Sequence, residues 1–324
     1  MATTSRRSRP PSKSWTIWRS CAARSPCRSL TRWWPTGFRP ATSTSSSRRF
    51  CEVVVIGLGS FSYRWSCGFK DRIPENPLGL LDLLERAERA GLRLVQFADN
   101  IPLHERDKGE IDELAREARS RGMAIELGLA GATDTASLET YLDYAAQLDC
   151  TLIRVSLDAD DLAKGQDRIV AELKAFQQSL SDRNVRIAFE NHFALESSSL
   201  VSLVQHLESD SFGVCLDVAN SICAGEWPME TVRLLAPYAI NLHLKDCRFA
   251  VDPYGVGFAV VGTPLGQGMM DIPAVLDLVK PDERHINTIL EQWLPWEADP
   301  ERLAAREDEW VVQSSETARK FLSC

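Results

Sequence analysis

The sequence lacks any long apolar segment. No apolar run approaches the roughly 18–20 residues that a membrane-spanning helix requires, so we expect no membrane association. The nine cysteines include no CxxC pair, which argues against zinc-knuckle and dithiol motifs. They predict free thiols in a reducing cytoplasm rather than a disulfide framework. We expect no secretory signal either, because no apolar stretch follows the basic start of the chain.

Acidic residues are absent from the first 51 positions, which carry 11 Arg and Lys residues. The rest of the chain carries 26 basic and 45 acidic side chains, so a segment of charge +11 precedes a body of charge −19. An acidic body repels phosphate backbones, and nucleic acid is therefore not an expected partner. The first segment also lacks helical or strand periodicity. We predict that residues 1–51 form a disordered basic tail outside the fold.

The tail has three possible interpretations. An Arg- and Ser-rich segment without acids is typical of an organelle transit peptide or of a basic tail that binds an acidic partner. The third interpretation is an upstream stretch that is not functional protein. The tail contains Trp33, Trp34, Cys21 and Cys27. These residues suit neither of the first two interpretations, so we favour the third.

Short apolar segments alternate with amphipathic ones from residue 52 onward. Apolar residues at three- and four-residue spacing, such as Leu80 to Ala87 and one longer stripe from Leu162 to Leu180, predict helices. Strands are predicted at residues 53–58, 92–97, 124–129, 151–155, 185–190, 213–216, 240–245 and 288–291. Eight strand–helix units indicate a parallel sheet, and eight is the number that closes a (β/α)8 TIM barrel. We therefore predict an α/β protein with one barrel domain over residues 52–324.

A doubly wound open sheet is the alternative architecture. A dinucleotide-binding GxGxxG turn after the first strand would favour it. Gly57-Leu58-Gly59 leads into Ser60-Phe61-Ser62, without the third glycine. The sequence therefore does not predict a dinucleotide site.

Polar residues lie at the ends of four consecutive predicted strands, where a barrel builds its active site. Side chains alternate along a strand, which directs these residues to the barrel mouth. Three carboxylates and one imidazole suit Mn²⁺ or Mg²⁺ better than structural zinc. Without a cation the carboxylates would raise one another's pKa values. The predicted ligands of one divalent metal ion are Glu190, Asp217, His243 and Glu291.

Each of these residues alone has an ordinary structural interpretation. A strand-end carboxylate is usually a helix cap or a solvated loop residue, and a lone histidine is usually a core residue. Four such ends in succession favour a shared site. Arg154, Asn191 and Lys245 lie at strand ends beside them and are candidates for substrate binding, although each could instead orient a ligand or cap a helix.

Several segments together resemble the xylose isomerase-like TIM barrel superfamily, which is the sugar phosphate isomerase/epimerase group. The likeness spans residues 53–322. It rests on Ala188-Phe-Glu-Asn-His192, Val214-Cys-Leu-Asp217, Asn241-Leu-His-Leu-Lys-Asp246, Gly262-Thr-Pro-Leu-Gly-Gln-Gly268 and Ile289-Leu-Glu291. The resemblance implies that the four strand-end residues bind one divalent metal. It also implies that Glu190 and Glu291 move the substrate proton, while the Gly-rich loop helps to cover the sugar.

One position departs from that pattern. Many members carry His three residues after the sixth-strand Asp, and this chain has Asn220. Asn can bond a substrate hydroxyl but cannot shuttle protons near neutral pH. The segments at 95–103 and 262–268 are also similar to a subgroup that decarboxylates 3-oxo sugar acids such as 3-oxo-isoapionate. The DNA-repair endonucleases of the superfamily use three metals and several His ligands, which this chain of five His does not match.

We therefore expect a cytoplasmic, metal-dependent isomerase or epimerase that acts on a ketose or oxo-sugar acid through an enediolate. The second hypothesis is a metal-assisted decarboxylase of a 3-oxo sugar acid, which needs only one protonation step and tolerates Asn220. The third is a non-catalytic sugar-binding barrel with a vestigial site. The intact ligand set argues against the third. All three imply a small sugar or sugar-acid ligand, and the sequence leaves a homo-oligomer open.

Deleting Met1–Phe50 should leave the melting temperature unchanged, because an unpatterned, acid-free segment contributes no face to a barrel core. The measurement is thermal unfolding of the full-length and truncated proteins. A large fall in melting temperature on truncation would contradict the domain boundary.

Overall fold

The computed structural model describes residues 55–132, 134–193 and 195–322. The predicted tail, residues 1–51, lies outside these described residues. So do residues 53–54, the first two positions of the first predicted strand.

The strands confirm the predicted TIM barrel. Seven of the barrel strands come in sequence: β1 Ile56–Gly59, β2 Leu94–Phe97, β3 Ala124–Ala130, β4 Leu152–Ser156, β5 Arg186–Glu190, β6 Phe212–Asp217 and β7 Ala239–Leu244. A hairpin of β8 Asp246–Val251 and β9 Phe258–Thr263 follows, and β10 Thr288–Leu290 completes the set. The barrel closes in the order β1-β10-β7-β6-β5-β4-β3-β2, and every neighbouring pair is parallel. A closed barrel excludes the open-sheet alternative.

Helices surround the barrel and bury their apolar faces against it. They are α1 Arg64–Cys67, α2 Leu80–Arg89, α3 Lys108–Arg121, α4 Thr135–Gln147, α5 Ala159–Lys164, α6 Gln166–Lys174, α7 Gln177–Arg183, α8 Ser197–Leu207, α9 Pro228–Leu235, α10 Ile272–Val279, α11 Pro281–Arg284 and α12 Pro300–Phe321. Across the described ranges, no helix combines the length and the apolarity needed to cross a membrane.

The single helix predicted from Leu162 to Leu180 is wrong, because this stretch contains three helices. Gly165, at φ +81°, separates α5 from α6. A right-handed helix cannot continue through a positive φ, and glycine adopts that conformation without a steric penalty. The apolar stripe is nevertheless buried, since Ile169, Leu173 and Leu180 all lie in the core.

The antiparallel hairpin β8–β9 was not predicted from the sequence. The hairpin begins just after β7, at the barrel mouth, and its strands carry the exposed residues Val251 and Phe258. Its first residue, Asp246, is buried and accepts hydrogen bonds from the backbone N–H groups of Gly266, Gly268 and Met270. The carboxylate therefore ties the following loop to the barrel. The predicted Gly-rich loop at 262–268 is shorter than expected, because its first two residues end β9.

The two glycines of β1 make room inside the barrel. A Cβ atom on Gly57 would lie 2.8 Å from Ile289 Cδ1, and one on Gly59 would lie 2.8 Å from Glu291 Cγ. Real Cβ atoms do not approach other atoms so closely, so the GxG pattern serves packing between β1 and β10. Gly59 thereby gives Glu291 the space to lie at the mouth.

Replacing Gly59 by Ala should lower the free energy of unfolding by about 1–3 kcal/mol, as overpacking of a filled interior does. Chemical denaturation measures the change. The cost should be smaller in a Glu291→Ala background, because the Cγ atom that the added methyl group would meet is then missing. An equal cost in both backgrounds would show that the contact with Glu291 is not the cause.

Candidate metal centre

The four predicted ligand residues meet at one point of the barrel mouth. Glu190 ends β5, Asp217 ends β6, His243 lies on β7 and Glu291 follows β10. The strand register pairs His243 directly with Asp217 on one side and with Ile289 of β10 on the other. All four side chains are buried, and one ligand atom from each lies within 4.8 Å of the others.

The imidazole of His243 lies at the centre of this group. Its Nδ1 atom is 3.3 Å from Glu190 Oε1, 3.4 Å from Glu291 Oε1 and 3.8 Å from Asp217 Oδ2. Among the described residues, no hydrogen bond of good geometry satisfies His243 Nδ1 or Glu291 Oε1. Buried polar atoms without partners are costly, and atoms that face one another in this way suit a shared cation. The donor set of three carboxylates and one imidazole fits a divalent metal ion.

Lys245, on the same face of the chain as His243, brings a buried positive charge to the same group. Its Nζ atom lies 2.6 Å from Asp217 Oδ2 and 2.7 Å from Glu291 Oε2. Burial alone would lower the pKa of Lys245, but the carboxylates of Asp217 and Glu291 raise it above its usual value. Lys245 therefore stays charged. Its predicted contact with substrate stays a prediction, since its partners in the structure are protein carboxylates.

Arg154, at the end of β4, forms an ion pair with Glu190 and another, 2.6 Å long, with Asp99. Burial would raise the pKa of Glu190, but Arg154 and His243 outweigh it and hold that pKa well below its ordinary value. Glu190 is therefore ionised. The structure brings Arg154 into the ligand cluster, and its role in substrate binding also stays a prediction.

The two predicted asparagines contact the ligands in different ways. Asn220 Nδ2 donates to Glu190 Oε1 over 2.9 Å, so this Asn contacts the ligand cluster directly. Asn191 Nδ2 donates to the carbonyl of Asp217, and its Oδ1 accepts from the N–H of Asp217. Both ends of the Asn191 amide are thus engaged by backbone, which favours a role in holding Asp217 over the predicted contact with substrate.

Sequence reasoning did not identify two polar residues that lie behind His243. Gln96 on β2 and Glu126 on β3 are both buried, and Gln96 Oε1 lies 2.8 Å from His243 Nε2. Each is the single polar side chain within an otherwise apolar strand. Buried polar residues of this kind need partners, and that isolation is the signal that could have identified them.

The protonation of His243 follows from its neighbours. Burial lowers the pKa of His243, but Cys215 and the carboxylates of Glu291 and Glu190 raise it well above its usual value. Burial also raises the pKa of the Cys215 thiol to about 11, so near neutral pH the thiol is uncharged and the carboxylates supply the negative charge. Without a metal, His243 is therefore an imidazolium that offsets the negative charge of the cluster.

Comparison with known proteins identifies the family of the chain. A family model described as xylose isomerase-like TIM barrel matches residues 84–313. The chain belongs to this family. The match covers the strands that supply Glu190, Asp217, His243 and Glu291.

Individual relatives fall into different reaction classes. The chain is 33% identical over 262 residues to the 3-oxo-isoapionate decarboxylase of Pectobacterium atrosepticum. This alignment covers 81% of this chain and 94% of that protein. The D-psicose 3-epimerase of Clostridium cellulolyticum, solved with D-tagatose, has a TM-score of 0.62 at 15% identity over 84% of this chain and 100% of its own. A xylose isomerase-like TIM barrel protein of Mycobacterium smegmatis, solved with magnesium, has a TM-score of 0.58 at 15% identity over 82% of this chain and 97% of its own. At such identities the two solved structures share the fold.

Binding of Mn²⁺ should release about one proton near pH 7. A metal ion needs the neutral imidazole, whereas the raised pKa of His243 means that the free protein carries the proton there. Affinity should therefore rise with pH until that pKa is passed. Calorimetry in buffers of different ionisation enthalpy measures the released proton.

The exposed His206 of α8 supplies the matched control for this experiment. His206→Gln should release the same proton as the wild type, whereas His243→Ala should bind Mn²⁺ far more weakly and release none. Equal affinity and proton release in His243→Ala would remove His243 from the ligand set.

Proposed function

We propose that this protein is a divalent-metal-dependent decarboxylase of a 3-oxo sugar acid. The observation that carries the proposal is the 33% identity to a 3-oxo-isoapionate decarboxylase across 94% of that protein. The ligand set and its flanking cations supply the chemistry that such a reaction needs. The proposed ligands of one Mn²⁺ or Mg²⁺ are Glu190, Asp217, His243 and Glu291.

The substrate class follows from the chemistry of a 3-oxo acid. Its carboxylate leaves as CO₂ when the adjacent C–C bond breaks, and the bonding electrons move toward the ketone oxygen. Glu190, Asp217, His243 and Glu291 would hold the divalent ion, which would supply a Lewis acid for the negative charge on that oxygen. The carbon then takes up one proton, so the products are CO₂ and a ketone.

Two buried cations support an anionic substrate. Arg154 and Lys245 lie against the ligand carboxylates, with side chains 4% and 3% exposed. In so dry an environment a cation attracts a carboxylate much more strongly than at the surface. Either residue can orient the acid, and Asn220, which already donates to Glu190, offers an amide to a substrate hydroxyl. Glu190 and Glu291 are the candidates for moving the proton, but both are ionised in the free protein, so each must first take up a proton from water or substrate.

A sugar epimerase or isomerase is the second candidate. Glu190 and Glu291 approach His243 Nδ1 to 3.3 Å and 3.4 Å, which puts two carboxylates beside the same ring nitrogen. An epimerase needs two such groups, one to remove the α-proton and one to return a proton on the other face. This pair of glutamates favours that reaction, whereas Asn220 lacks the proton-transfer capacity of the usual His.

The proposal is tested with the full chain, Mn²⁺ and a panel of 3-oxo sugar acids and ketoses. We expect CO₂ release from the acids, and little exchange of ketose α-protons with solvent deuterium. Proton exchange without CO₂ would replace the decarboxylase with the epimerase. If neither CO₂ release nor proton exchange is observed, the sugar-binding barrel is the remaining hypothesis. Full activity without added metal would contradict the proposed metal site.

Glu291→Gln separates a ligand from a base. The amide keeps the size of the carboxylate but cannot take up a proton. If Glu291 is only a ligand, as a metal-assisted decarboxylase permits, excess Mn²⁺ should restore most of the turnover. If Glu291 is also a general base, as the epimerase needs, turnover should stay about 10²–10⁴-fold lower at saturating Mn²⁺. Steady-state rates across a Mn²⁺ titration distinguish the two.

A further inference from the structure

The side of His243 that faces away from the carboxylates is bonded to a buried amide. His243 Nε2 lies 2.8 Å from Oε1 of Gln96, and both side chains are fully buried. An amide oxygen only accepts hydrogen bonds, so Nε2 must carry the hydrogen of this bond. The lone pair of a neutral His243 is then on Nδ1, the atom that faces the three carboxylates.

The orientation of the Gln96 amide is itself fixed by a carboxylate. Its Nε2 atom donates to Glu126 Oε2 over 3.0 Å and contacts Asn241 Oδ1 at 3.3 Å. Glu126 also accepts from Asn241 Nδ2 over 3.0 Å and from Asn287 Nδ2 over 2.8 Å. A carboxylate with three N–H donors directed at it acts as an acceptor. The NH₂ group of Gln96 must therefore face Glu126, and its oxygen must face His243.

We propose that Gln96 and Glu126 are positioning residues that fix the tautomer and ring orientation of His243 for metal binding. The inference rests on the metal site of the proposed function. The Glu126 carboxylate orients the Gln96 amide, and the Gln96 oxygen keeps the hydrogen of His243 on Nε2. The Nδ1 lone pair is therefore left free to face the carboxylates. Among the described residues, Gln96 and Glu126 hydrogen-bond to one another, to Asn241, Asn287 and His243, but not to the other three ligands, so each acts through His243.

The strand register explains why these residues meet. Gln96 and Glu126 are direct partners across β2 and β3. Asn241 and His243 are two residues apart on β7 and so point to the same side of the sheet. Apolar side chains could fill this layer of the barrel without any need for partners. A buried carboxylate with three amide donors is a costly choice for packing alone, and it is the arrangement that sets the direction of the Gln96 amide.

The test compares two replacements of Gln96 that have nearly the same size. Gln96→Met removes the acceptor for His243 Nε2–H, whereas Gln96→Glu keeps an acceptor oxygen there and shares a proton with Glu126. Loss of an outer partner of a metal-bound histidine weakens metal affinity by about 10–100-fold. We expect that loss for Gln96→Met, and an affinity within a few-fold of the wild type for Gln96→Glu. Calorimetric titration of the full chain with Mn²⁺ measures both.

Ser315→Ala on α12 controls for the loss of a buried hydrogen bond elsewhere. Ser315 is fully buried, and its hydroxyl lies within hydrogen-bond distance of the carbonyl oxygens of Val312 and Ala90. Its variant should lose thermal stability and keep the Mn²⁺ affinity of the wild type. If Gln96→Met does not fold, Glu126→Gln replaces it. An amide at position 126 can also donate to Gln96 Oε1, so the Gln96 amide is no longer held in one orientation. His243 then loses its fixed tautomer, which should weaken Mn²⁺ binding.

The outcomes separate this inference from the proposed function. If the wild type binds no Mn²⁺, the metal site fails and the inference fails with it. If the wild type binds and Gln96→Met binds as tightly, only the positioning role is overturned. Equal weakening in Gln96→Met and Gln96→Glu would also overturn it, since a packing defect would then explain both. Unchanged affinity in Glu126→Gln would remove Glu126 from the role.

Discussion

The burial of three carboxylates at one point of the barrel mouth is the constraint on which the site depends. Glu190, Asp217 and Glu291 are at most 6% exposed. An ionised carboxylate costs several kcal/mol to bury unless a cation accompanies it. Arg154 compensates Glu190, and Lys245 compensates the other two. These two cations allow the buried carboxylates to stay ionised without contact with water.

The same constraint would make the site responsive to a metal ion. In the free protein, Arg154, Lys245 and the protonated His243 offset the negative charge of the ligand carboxylates. A divalent ion held by these residues would add two positive charges and displace one proton from His243. Asp217, whose Oδ2 atom lies 2.6 Å from Lys245 Nζ, would then have two cationic partners. Metal binding would therefore be coupled to the protonation of His243 and to the ion pair of Lys245 with Asp217.

The part of the site that could be predicted from sequence depends on local rules. Two-residue periodicity places His243 of β7 and Lys245, which follows β7, on one face of the chain, and parallel strands bring their carboxyl ends to one mouth. The Gln96–Glu126 pair could not be predicted in this way. Its contact with His243 depends on how β2 and β3 meet β7 across the closed barrel, which no local pattern encodes. The β8–β9 hairpin is a similar case, because it exposes apolar residues such as Val251 and depends on tertiary contacts at Asp246.

Under the proposed reaction, the unequal partners of Arg154 determine where a substrate carboxylate can bind. Glu190 is buried and close to His243, so removing Arg154 from it would leave a buried charge with less compensation. Asp99 has a side chain 33% exposed, and water can solvate it if the ion pair opens. A substrate carboxylate therefore displaces Asp99 from Arg154 at a lower free-energy cost than it would displace Glu190. An anionic substrate should approach Arg154 from the Asp99 side and leave the bond to Glu190 in place, which keeps the ligand set intact during binding.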